Sequence, residues 1–185
     1  MTTTLHLENH IWTESEYLAI GETPERIELF DGRLHVSPAP GLRHQHALDE
    51  LKDAFKPVAR KAGLFVYENV NVHVGRNRIP IPDLTLFKNA DYDDDLVIPA
   101  SDVLLVCEVM SPSNAKTDKT TKMTYYAEAG IPWYLLVEPR TATVTLYMLS
   151  GAKYVEHASA EPGELLELVE PVAVTIDPAD LLPPR

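Results

Sequence analysis

The amino-acid sequence predicts an α/β fold, on three observations. Apolar and polar side chains alternate over Phe65 to Val74, the period-two pattern of a strand. Leu48, Leu51, Phe55, Val58 and Ala62 recur at three- and four-residue spacing, the buried stripe of a helix from about Arg43 to Ala62. Further strand-like runs flank a second helical stretch, about Thr117 to Ala129, which stops at Gly130 with Pro132 just beyond.

From the amino terminus, Thr13-Glu14-Ser15-Glu16 has the Thr-x-x-Glu form of a capping box and predicts a short helix, about Glu14 to Ile20. Arg26 to Phe30 and Arg33 to Ser37 are strand-like and separated by Asp31-Gly32, a pair that tolerates positive φ and favours a tight hairpin. Ile27 and Leu29 alternate with Glu28, which is either a surface or cross-strand partner or a third acid near a functional site. Ser37-Pro38-Ala39-Pro40-Gly41 interrupts regular structure ahead of the long helix. On that helix Lys52, Lys56 and Arg60 form a basic stripe, and Pro57 should bend or loosen the second half. His44 and His46 point away from each other and make a poor metal pair, while His44 alone could reach a phosphate from the helix start.

The strand at Phe65 should be irregular near Asn69 and turn at Gly75 to Asn77. Asp91 to Asp95 reads as a solvated loop, without the glycine and terminal glutamate of a calcium-binding loop. Trp133 to Val137 and Thr143 to Leu149 are two more strands, joined through Glu138-Pro139-Arg140, and Lys153 to Glu156 closes a hairpin. The acidic segment at 156–185, with Val172 to Ile176 as a last strand, is expected to be peripheral.

The chemistry concentrates between Ile81 and Lys122. Pro82-Asp83 heads the apolar run Leu84, Leu86, Phe87, and the run Val103 to Cys107 ends at Glu108, 25 positions after Asp83. Two carboxylates therefore stand at the ends of two strand-like segments, and the helix that follows carries Lys119 and Lys122. A buried strand holds a carboxylate only if the charge is neutralised. A cation joining Asp83 and Glu108 would do so: two carboxylates, a backbone carbonyl and waters suit Mg²⁺ or Mn²⁺ rather than zinc. Such an ion can neutralise a phosphodiester and lower the pKa of a bound water, and a lysine beside it can orient that water. Asp118 lies one helical turn before Lys122, so an intrahelical ion pair is the competing role for this lysine.

One domain with one core is the expectation for 185 residues, over the whole span 1–185. No apolar run approaches the roughly 18 residues of a membrane span. Met1 to His10 lacks the basic start and hydrophobic core of an export signal, which predicts a cytoplasmic protein. The lone cysteine, Cys107, sits in an apolar run and reads as core filler. A net charge of -12 argues against a protein that coats nucleic acid indiscriminately. The charge is uneven: residues 40–82 carry +3 and residues 156–185 carry -6. The basic part leads into the Ile81 to Lys122 stretch, as suits a phosphate-bearing substrate.

An ordered set of residues now points further: Glu28 to Gly32, Ser37-Pro38-Ala39-Pro40, Arg43-His44-Gln45, Pro82-Asp83, Glu108-Val109-Met110-Ser111-Pro112-Ser113, Asp118 with Lys122, and Tyr126-Ala127 before Gly130-Ile131-Pro132. From about Glu14 to Tyr154 the chain resembles the Uma-type family of bacterial endonucleases, within the restriction-endonuclease-like PD-(D/E)XK superfamily. The resemblance implies a restriction-endonuclease-like core, a mixed central sheet flanked by helices, with the metal acids at its edge. Asp83 would be the first acid and Glu108 the second. The superfamily's lysine stands two residues after the second acid, where this chain has Met110; the Uma-type lysine lies on the following helix, here Lys122. Trp133 and Leu135 also depart from the family, which more often has glutamate and tryptophan there.

The resemblance thus implies a Mg²⁺- or Mn²⁺-dependent endonuclease acting on nucleic acid, with DNA as the expected substrate. Asp83, Glu108 and the Val109 carbonyl would hold the ion, Lys122 would position the attacking water, and Glu28 would add or orient a ligand. Arg43, His44, Arg76, Arg78, Lys116 and Lys119 are the candidate phosphate contacts. A homodimer would relate two sites by symmetry for cutting two strands. Two other readings stay open: a nucleic-acid-binding or protein-interaction module that kept the scaffold without useful turnover, and a metal-free site in which Asp83 and Glu108 pair with Arg78 and Lys122.

Overall fold

The computed structural model describes residues 10–90, 96–111 and 117–184, and for 117–119 the backbone alone. The acidic run at 91–95 and residues 112–116 lie outside the described residues. The amino-terminal helix α1 (Glu14–Leu18) carries the expected capping box: the Thr13 hydroxyl accepts the Glu16 N–H while the Glu16 carboxylate accepts the Thr13 N–H. Strands β1 (Arg26–Phe30) and β2 (Arg33–Ser37) pair antiparallel as a hairpin. Its turn uses positive φ at both Asp31 (50°) and Gly32 (78°), the conformation that Asp-Gly favours.

Helix α2 (Leu42–Lys61) spans 20 residues and runs through Pro57 without a break. Its buried apolar side chains are Ala47, Leu48, Leu51, Phe55 and Ala59, so the stripe is the expected one apart from its last turn. The expected long strand at Phe65 to Val74 is divided into β3 (Phe65–Glu68) and β4 (Val72–His73), because Asn69 takes a positive φ of 54° between them. Then follow β5 (Leu84–Phe87), β6 (Ile98–Pro99) and β7 (Val103–Val109). A wide helical turn, Thr117–Lys122, leads directly into α3 (Met123–Glu128), which ends before Gly130 at φ 78°. Strands β8 (Trp133–Glu138), β9 (Thr143–Ser150) and β10 (Lys153–Ala160) complete the main sheet.

That sheet has six strands in the order β10-β9-β8-β7-β5-β3, with β7 and β8 parallel and the other neighbours antiparallel. One face carries α2: Leu51 and Phe55 pack with Leu84, Leu86, Leu105, Cys107 and Leu135. The other face carries α3 and a second apolar cluster that includes Phe87, Val106, Tyr126, Tyr134 and Leu136. Central strands covered on both sides explain why β7 and β8 read as continuous apolar runs instead of alternating ones. Cys107 is a free, fully buried core residue, and burial pushes its thiol well above the ordinary range.

The acidic carboxyl-terminal segment is not peripheral, contrary to its composition. It forms a hairpin of β11 (Leu166–Leu168) and β12 (Val174–Ile176), whose Leu166, Leu168, Val174 and Ile176 join the α2 cluster together with Leu181. Glu167 occupies the exposed position within β11 and Thr175 that within β12, so charge counts conceal an apolar face with strand periodicity. No helix among the described residues is long and apolar enough to cross a membrane.

Candidate active site

Register brings the two acids together. In the antiparallel β5–β7 pair Leu84 stands opposite Cys107, so the next positions outward, Asp83 and Glu108, meet at the same end of the sheet. Both are almost fully buried, at 2% and 1% exposure, and Glu28 from β1 is equally buried at 2%. Glu28 is therefore an interior acid rather than a surface partner of its hairpin.

Asp83 is held by three donors. Arg26 donates to its Oδ1 at 2.6 Å, while His44 Nε2 at 3.0 Å and the Val109 N–H at 2.8 Å address Oδ2. Arg26 also donates to the Ile81 carbonyl. Burial alone would raise the Asp83 pKa, but the His44 hydrogen bond and the Arg26 charge outweigh it and hold the carboxyl well below the usual range. For Arg26, burial opposes the charge and the carboxylates of Asp83, Glu28 and Glu108 more than compensate, keeping the guanidinium fully charged.

Glu28 and Glu108 share Lys122. Its ammonium lies 2.8 Å from Glu28 Oε1 and 3.2 Å from Glu108 Oε1, and its side chain is 2% exposed. Glu28 Oε1 further accepts the Ile81 N–H at 2.8 Å, and Tyr126 donates its hydroxyl to Glu108 Oε1 at 2.7 Å. Burial first, and then the Glu108 charge, push the Tyr126 hydroxyl far up, so it stays a donor. The wide turn at Thr117–Lys122 brings the lysine back over the end of β7, although the superfamily position, 110, holds methionine.

Among the described residues, three buried carboxylates thus face two cations, Arg26 and Lys122, which leaves one negative charge over before His44 is counted. Hard oxygen donors and a negative excess fit Mg²⁺ or Mn²⁺. Among the described residues, no three His, Cys, Asp or Glu side chains are gathered as a ligand shell. A divalent ion here would rest on two carboxylates with backbone and water oxygens, and it would share Asp83 with Arg26.

Other sequence candidates fall elsewhere. Arg78 does not reach Asp83: it binds Asp31 at 2.5 Å and Glu128 at 2.6 Å and lies 4.3 Å over the Tyr125 ring, tying the β1–β2 hairpin to α3. His46 bonds the Asp180 and Leu182 carbonyls, so it fastens the carboxyl terminus to α2. Arg43 is exposed at the start of α2, beside His44. The side chains of Lys116, Asp118 and Lys119 lie outside those described. Sequence reasoning missed Arg26 and Tyr126. Arg26 is two positions before Glu28 and so shares its strand face, and Tyr126 is one helical turn after Lys122; both spacings were available as signals.

The strand-end acids on a helix-covered mixed sheet define a restriction-endonuclease-like α/β protein. A profile of the Uma2 family, described as "Putative restriction endonuclease", matches residues 14–179. The chain belongs to this family. The match extends beyond Tyr154 and takes in the carboxyl-terminal hairpin. The fold is similar to the crystal structure of "a putative nuclease belonging to DUF820" from Anabaena variabilis ATCC 29413, with a TM-score of 0.70 and 17% identity over 91% of this chain and 96% of that one. Among curated proteins nothing matches.

Proposed function

We propose that the protein is a divalent-metal-dependent endonuclease that hydrolyses phosphodiester bonds, with DNA as its substrate. The observation that carries this reading is the meeting of Asp83 and Glu108 at one sheet end with Lys122 on Glu108. Membership in a family described as "Putative restriction endonuclease" supports it.

Asp83, Glu108 and the Val109 carbonyl would hold Mg²⁺ or Mn²⁺. Such an ion, when bound, supplies charge neutralisation of the phosphodiester and a more acidic bound water. The chain's own groups do the rest. Lys122 Nζ, fixed by Glu28, orients the attacking water and offsets charge on the phosphate. Tyr126 keeps the Glu108 carboxylate in place, and His44 with the Val109 N–H does the same for Asp83. Arg43 contacts a phosphate from the α2 start.

A second reading takes the acids as structural, in a module that binds nucleic acid or protein without turnover. The pairing of Asp83 with Arg26 and of Glu108 with Lys122 favours it, since every acid already has a cationic partner. Calorimetric titration with Mn²⁺ tests between the two: the nuclease reading expects binding that Glu108→Gln removes, and a self-neutralised cluster expects none.

A further inference from the structure

His44 lines, besides the acid cluster, a pocket of about 400 Å³ whose walls include Gly41, Arg43, Met110, Glu138 and Arg140. Topology explains their meeting. β8 runs parallel to β7, with Val137 beside Val109, so the turn at Glu138-Pro139-Arg140 leaves the sheet at the same end as Met110. Arg43 and Arg140 are exposed, and among the described residues neither guanidinium has a hydrogen-bond or ion-pair partner. The first turn of α2 has no side-chain cap and no acid. The Glu138 carboxylate accepts the Arg140 backbone N–H at 3.1 Å. His44 forms the wall between this pocket and the acid cluster: it is 8% exposed, and its Nε2 is held by Asp83.

We propose that this pocket binds a phosphate group of the nucleic-acid strand next to the cleaved bond. Arg140 and Arg43 supply its charged donors and the first turn of α2 its backbone N–H groups. The proposal rests on the nuclease reading. The volume exceeds that of a phosphate and falls within the roughly 300–1,000 Å³ of small-ligand sites, which leaves room for the attached sugar against Met110. Met110 follows Val109, whose N–H holds Asp83, so the bound phosphate sits one residue away from the acid cluster. Arg140 is its distinguishing anchor, because it takes no part in that cluster.

The test titrates inorganic phosphate into ¹⁵N-labelled wild type, Arg140→Ala and Arg140→Lys, following amide shifts. The same proteins are titrated in chelator with a short fluorescent single-stranded oligonucleotide over a range of salt. The expected result is a saturable response at residues 42–44 and 140, weakened roughly 10- to 100-fold by Arg140→Ala and partly restored by Arg140→Lys. Oligonucleotide affinity should become less salt-dependent in Arg140→Ala. No saturable response at those amides, or unchanged phosphate affinity in Arg140→Ala, overturns the subsite. Neither readout needs turnover. A protein that binds phosphate as described but never cuts nucleic acid loses the nuclease reading alone, and one that cuts with KM unchanged in Arg140→Ala loses the subsite alone.

Discussion

The Arg26 guanidinium lies 2.6 Å from Asp83 Oδ1, so an arginine stands on the acid proposed to hold a metal ion. Its charge lies where a divalent cation would be attracted, and like charges compete for one carboxylate. Arg26→Ala is therefore expected to tighten Mn²⁺ binding by about fivefold or more while lowering the melting temperature, as read by calorimetry and thermal unfolding. Weaker ion binding in a folded Arg26→Ala protein would show that Arg26 supports the ion site instead of competing with it.

Lys122 is the only described cation that touches both Glu28 and Glu108. Lys122→Met leaves two buried carboxylates without it and should cost about 3–5 kcal/mol of stability. Adding Glu28→Gln removes one of the stranded charges and should recover part of that loss. Urea unfolding of the single and double variants measures both, and additive losses would rule out the coupling.

The Asp83 carboxyl is held below its ordinary pKa, so its contribution to stability is fully present above the unfolded value of about 4. It is lost as pH falls from there toward the lower folded value. Asp83→Asn should be less stable than wild type at neutral pH, and the gap should narrow as pH falls below about 4. Urea midpoints between neutral pH and pH 3 test this; a constant gap would mean that the Asp83 charge adds nothing.

Leu181 is 1% exposed and packs in the α2 cluster although it lies in the acidic tail. Leu181→Ala is expected to cost about 2–5 kcal/mol. A near-neutral result in chemical denaturation would return the tail to the peripheral role its composition suggested.

Much of this fold was legible because its signals are local. The Asp31-Gly32 turn, the Thr13 capping box and the Leu48-Leu51-Phe55 stripe each fix geometry over a few residues. The same holds for Asp83 and Glu108, since a carboxylate beside an apolar run is anomalous wherever the chain goes. What was not legible depends on contacts distant in sequence. Arg26 meets Asp83 across 57 positions, and Arg78 finds Asp31 and Glu128 from either side. No periodicity encodes such pairings. The tail misled because its acids dominate its composition, while the leucines, valine and isoleucine at every second position of β11 and β12 decide its burial.

The most direct measurement compares wild type with Glu108→Gln for cleavage of single- and double-stranded DNA and RNA, with Mg²⁺, Mn²⁺ or chelator. Glutamine keeps the size of Glu108 and an acceptor for Tyr126, so the comparison reads the charge rather than the fold. Metal-dependent cutting of DNA by wild type, lost in a Glu108→Gln protein that melts cooperatively, is the expected result. Cutting that persists in Glu108→Gln, or in chelator, would contradict it.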